Sequence, residues 1–158
     1  TGPSVFGQPG TNGQHAFVQW LHQGSDIIPV DFLLFKKTLI GEDNGMSPAR
    51  LAVHNNWLMA NGIAQAEALA FGENNANPHR NFVGNRPSSV IVCDELSPFY
   101  LGALISLYEY KIIYQGFLWN INSFDQFGVE LGKKIATDFY QQLNGDKEMT
   151  HPALFLLK

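Results

Sequence analysis

Apolar positions along this chain repeat with two periods, and the places where one gives way to the other mark out its elements. Phe17, Trp20 and Leu21 share one helical face behind the good capping residues Thr11 and Asn12, which predicts a helix ending at Gly24. Residues 26–35, DIIPVDFLLF, are apolar on both sides of an extended chain, the pattern of a buried strand, although Pro29 removes one ladder donor. From Ser47 the helical period returns in SPARLAVHNNWLMANGIAQAEALAFG, with Ser47 as cap and Pro48 in the first turn. Glycine, asparagine and proline crowd residues 72–87 into a loop, and SSVIVCDE (88–95) reads as a short β-branched strand. Ser97 and Pro98 then open PFYLGALISLYEYKIIYQG, a helix apolar on almost every face and therefore expected in the interior. The last periodic stretch runs from about Ser123 to Leu143. Phe124, Phe127, Leu131, Ile135 and Phe139 line one side of it, and Gln126, Glu130, Lys133 and Thr137 the other. Residues 1–10 read as extended, and 145–158 carry no assignment. Strands alternating with helices give an α/β class with a small, mostly parallel sheet in one domain, residues 1–158.

Composition narrows the function more than the fold. The chain is 45% hydrophobic and 15% charged, as a folded globular protein is, and its twelve phenylalanines promise a large aromatic core. A net charge of -4 without runs of like charge gives no footprint for nucleic acid or a membrane surface. Glu109 and Lys111 interrupt the longest apolar stretch, which argues against a membrane span. No secretory signal is visible, so a cytoplasmic location is expected. Cys93 is the single cysteine, which excludes an intramolecular disulfide and a cysteine-based zinc site. The chain opens TGPSVFG without an initiator methionine, as a piece of a longer polypeptide would.

Two places carry candidate chemistry. In GQPGTNGQHAFVQWLHQG (7–24), Gly7, Gly10 and Gly13 match neither the dinucleotide fingerprint nor the Walker pattern, so no nucleotide loop is predicted. His15 is expected in the first turn of the following helix. The positive end of a helix disfavours added positive charge and leaves an imidazole able to exchange a proton. The ordinary alternative, a polar residue in a solvated first turn, remains the default on the residues alone. On the last helix, Gln126 and Lys133 lie seven residues apart on one stripe with Glu130 between them. A lysine and an amide in a cleft would hold an oxyanion or a phosphate oxygen; on an outer face they are ordinary solvated groups. Glu109 sits in the apolar helix, where a carboxylate needs a partner, and a structural role is the first reading. His22, His54, His79 and His151 have no metal-ligand spacing, no G-x-S-x-G elbow occurs, and Cys93 lies in an expected buried strand.

Longer stretches say more. GQPGTNGQHAFVQWLHQG continuing into IIPVDF, and LGALISLYEYKIIYQGFLWNINSFDQFGVELGKK (101–134) with its core SFDQFGVELGK, closely resemble two segments of the glucose-6-phosphate isomerases. QAEALAFG and GNRPSSVIV fit the same family between them. The resemblance runs in order over nearly all 158 residues and matches only the C-terminal part of such an enzyme. It implies part of the second sugar-isomerase (SIS-type) α/β/α domain and interconversion of glucose 6-phosphate and fructose 6-phosphate without metal or organic cofactor. It implies that His15, the histidine of GQHAF, handles the ring-oxygen proton. It places Lys133, the lysine of GVELGK, beside the same oxygen and gives Gln126 a substrate contact. It also implies a homodimer in which His15 reaches the partner's site.

The chain departs from the full family pattern at one point. The family's base is a glutamate in an ESNGK-like stretch before GTNGQH, and its enediolate-stabilising arginine and phosphate loop also precede that point. Glu42, Glu67, Glu73 and Glu95 have no matching context. The expectation is a half-site: ring-opening residues present, isomerising residues elsewhere, and no useful turnover from this chain alone. A non-catalytic SIS-like module for sugar-phosphate binding or dimerisation is the alternative.

Overall fold

The computed structural model describes residues 2–37, 45–124 and 127–157. Two short helices, α1 (Gly10–Ala16) and α2 (Val18–Gln23), lead to strand β1 (Val30–Lys37). Helix α3 (Pro48–Phe71) crosses to strand β2 (Ser88–Glu95), and β1 and β2 pair in parallel from Val30 opposite Ser88 to Lys37 opposite Glu95. Helices α4 (Pro98–Trp119) and α5 (Phe127–Asn144) follow, and a short 3-10 helix spans Pro152–Leu157. The expected α/β class with a small parallel sheet stands. The chain forms two compact units, Thr1–Ile105 and Ser106–Lys158.

In the first unit the sequence signals act locally as expected for α3 and β2. Ser47 Oγ accepts from the Arg50 N–H at 3.4 Å and Pro48 opens the helix, so α3 begins where the Ser-Pro pair places it. Strand β1 starts four residues later than expected, at Val30, because Pro29 has no N–H to donate and the Val30 N–H is the one that reaches Pro87. The core gathers Leu21, Leu34, Leu69, Cys93 and Leu104, with Leu69 only 1% exposed. Buried Asn55 on α3 donates to the Lys36 carbonyl at 2.6 Å, satisfying a strand-end acceptor. The loop 72–87 is more ordered than its composition suggests. Glu73 and Phe82 form an antiparallel bridge, and Gly72 and Gly84 meet back to back with φ near +65°. A side chain on either would meet backbone, which fixes glycine at both.

In the second unit, α5 starts at Phe127 rather than Ser123, and Phe124 lies in the turn before it. That turn folds onto the end of α4: Ile121 N–H donates to the Gly116 carbonyl, and Ser123 Oγ to the Ile112 carbonyl. The unassigned tail is held by Gln142, which is buried. Its amide donates to Asp138 at 2.7 Å and its carbonyl accepts from the Thr150 N–H at 3.0 Å. Lys147 adds an ion pair to Asp138 at 2.7 Å.

One expectation fails. Helix α4, read as interior, leaves most of its apolar residues exposed, with only Leu104 among them buried and Phe117 at 75% exposure. An all-round apolar helix states that its surface is to be covered, and does not state that its own chain covers it.

Candidate active site

The helix carrying His15 is built differently from its prediction. Pro9 takes the capping position, and its carbonyl accepts from both the Asn12 and Gly13 N–H groups, so α1 starts at Gly10. At Phe17 the backbone turns to φ -141°, ψ -2° and breaks the helix. An aromatic cluster accounts for the break: the Phe6 ring packs edge-on to Phe17 at 5.4 Å and stacks on Trp20 at 6.0 Å. His15 therefore occupies the last turn of α1 and not the first, and the argument from a positive helix end does not apply to it. Its side chain is exposed. The segment behind it is anchored. Arg86 donates to the Gly24 and Asp26 carbonyls at 2.8 Å each, and Gln23 donates to the carbonyls of His79 and Asn81.

Lys133 lies on α5 in the second unit, exposed, and among the described residues its ammonium has no ion-pair partner. Its backbone carbonyl accepts from the Thr137 hydroxyl at 3.0 Å. Gln126 lies outside the described residues. His15 and Lys133 belong to different units, and each is placed within its own. Glu109, expected to need a partner inside an apolar helix, is exposed.

A polar cluster that the sequence reading missed sits at the carboxyl ends of the two strands. Lys36 Nζ meets Asp94 Oδ1 at 2.8 Å, and the Tyr100 hydroxyl donates to Asp94 Oδ2 at 2.9 Å. With Lys37 and Glu95 these residues line a shallow cavity of about 280 Å³. The hydrogen bonds from Lys36 and then Tyr100 hold the Asp94 carboxyl below the usual carboxylate range. The same carboxylate raises Lys36 and Tyr100 above their ordinary values, chiefly through those hydrogen bonds. A sequence signal existed: KK closes β1 and DE closes β2, and parallel register sets Lys37 opposite Glu95. Among the described residues no three His, Cys, Asp or Glu side chains gather to hold a metal, and no helix is long and apolar enough to cross a membrane.

Parallel strands joined by a crossover helix, with charged groups at the strand carboxyl ends, define an α/β protein of the class whose sites form at that edge. Comparison with known proteins narrows this to one family. The family model described as Phosphoglucose isomerase matches residues 1–153, and the chain belongs to that family. It is similar to the glucose-6-phosphate isomerase of Chlamydia pneumoniae, 53% identical over 152 residues that cover 96% of this chain and 28% of the relative. It is also similar to that of Deinococcus deserti, 50% identical over 163 residues, 96% of this chain and 29% of the relative. A crystal structure of a glucose-6-phosphate isomerase from Chlamydia trachomatis superposes with a TM-score of 0.78 at 40% identity, covering 98% of this chain and 28% of that one. The chain thus spans little more than a quarter of the relatives it matches.

Proposed function

We propose that this chain is the C-terminal, SIS-type part of an aldose–ketose isomerase acting on glucose 6-phosphate and fructose 6-phosphate in the cytoplasm, and that it supplies the ring-opening residues. The observation that carries this reading is the family match over residues 1–153, joined to the small share of each relative that the chain covers. Opening a cyclic sugar phosphate needs a proton delivered to the ring oxygen while another leaves the anomeric hydroxyl. His15 exchanges that proton, the Lys133 ammonium faces the same oxygen, and Gln126 contacts the substrate. The later transfer of a proton between the first two sugar carbons needs a carboxylate base and a positive group against the enediolate. Those groups come from the part of the relatives that this chain does not cover. The exposure of His15 supports a further step, a homodimer in which His15 enters the site of the second subunit.

A coupled assay converting fructose 6-phosphate to glucose 6-phosphate tests the proposal. The purified chain alone is expected to be silent. Mixing it with the remaining portion of the enzyme should restore turnover. His15→Ala or Lys133→Ala in the reconstituted protein should each lower kcat by about a hundredfold or more, the usual contribution of a positioned acid or base. Turnover by the chain alone would overturn the half-site reading. Full activity after both substitutions would remove the two residues from the mechanism.

A further inference from the structure

Outside the residues assigned to that chemistry, one backbone feature points to a modification site. Asn-Gly pairs occur at 12–13, 61–62 and 144–145 among the described residues; at 44–45 the asparagine lies outside them. In such a pair the glycine nitrogen can attack the asparagine Cγ, since no β-carbon obstructs the approach. The new N–Cγ bond forms as the Cγ–NH2 bond breaks, and ammonia leaves with the proton lost by the glycine nitrogen. Water then opens the five-membered imide at either carbonyl, leaving aspartate or isoaspartate. One water enters, one ammonia departs, and no electrons are exchanged. The reaction requires a glycine N–H free of its hydrogen bond and an asparagine free to leave helical geometry.

Two of the three pairs are withheld from it. Gly13 is buried and its N–H donates to the Pro9 carbonyl at 2.9 Å. Asn61 and Gly62 lie in the middle of α3; the Asn61 amide is engaged with the Trp57 carbonyl at 2.8 Å, and Gly62 packs beneath Leu34. The third pair is open. Helix α5 ends at Asn144, and Gly145 turns away at φ +87° with no neighbour within 4 Å of where a side chain would stand. Among the described residues its N–H reaches only the Gln142 carbonyl, at 3.4 Å, and both residues are exposed. Fraying of one terminal residue frees the nucleophile, whereas the other two pairs need part of a helix to open.

We propose that Asn144–Gly145 is a site of spontaneous deamidation that alters the turn closing α5. The product places a carboxylate at a helix C-terminus, where the helix dipole opposes it. Isoaspartate also lengthens the main chain by one carbon inside the turn that seats the Asp146 and Lys147 N–H groups on the Gln141 carbonyl.

Ageing the chain in mildly alkaline buffer, with peptide mapping by mass spectrometry and isoaspartate detection, tests this. The 144–145 peptide is expected to convert faster than those holding 12–13 and 61–62 by about tenfold or more, and the three rates should converge in denaturant. An unchanged Asn144, or one no faster than the other two, overturns the proposal. So does a rate ratio that persists in denaturant, because the preference would then owe nothing to the fold.

Discussion

Asp94 uses its two carboxylate oxygens on two different partners, Lys36 and Tyr100, and this gives a residue-scale prediction. Its carboxyl titrates lower in the folded chain than in the unfolded one, so the pairing stabilises the fold above the ordinary carboxylate range and fades as pH falls through the lowered value. The raised Lys36 acts in the opposite direction: its contribution is complete below the ordinary lysine value and fades as pH rises through the raised one. Asp94→Asn should therefore be less stable than the parent from weakly acidic to mildly alkaline pH, with the gap closing in strong acid. Both side chains are about 60% exposed, so the gap is small and shrinks with added salt. Urea midpoints measured across pH check it, and a gap that widens in acid would contradict the assignment. This cluster was legible only in retrospect, because charges at two strand ends become neighbours only once the register is known. His15 shows the converse. Its identity as a candidate was readable, but its turn was not, because the Pro9 carbonyl and the Phe6–Phe17–Trp20 cluster moved both ends of the helix.

Elements whose boundaries depend on local chemistry were readable, and those set by packing were not. Helix α3 and strand β2 lie at their expected residues because a Ser-Pro start and a β-branched run act within a few positions of themselves. The Ser47 cap is correspondingly separable: Ser47→Ala should lower stability by about 0.5–1 kcal/mol, in the lower range for a cap whose hydrogen bond is long, while circular dichroism at low temperature stays unchanged. A larger loss, or loss of helix content before unfolding, would mean that Ser47 does more than close the first turn. The single helix expected up to Gly24 became α1 and α2, and Ser123, expected to open α5, instead bonds back to the Ile112 carbonyl. In both cases long-range contacts between side chain and main chain or between rings decided the outcome, and periodicity carries no information about those.

At the scale of the molecule, the amount of surface left in contact with water decides what the chain needs. Two separate compact bodies of about 105 and 53 residues would together expose roughly 9,400 Å². The chain exposes 12,329 Å², part of it in the extended segment before α1. Large apolar side chains on regular elements stand open: Trp57 on α3 is 68% exposed and Phe127 on α5 is 72% exposed, where folded monomers rarely leave such faces uncovered. On the proposed reading, in which the chain is part of a longer isomerase, the remaining polypeptide covers these faces. The isolated chain should then bind a hydrophobic dye strongly and show an apparent mass that rises with concentration in sedimentation. Adding the remaining portion of the enzyme should abolish both effects at the stoichiometry that restores turnover. Dye release without turnover would separate correct docking from a competent site and direct attention to His15 and Lys133. A chain that stays monomeric and dark to the dye would mean that its apolar faces find partners within itself, and the need for a covering portion would fall.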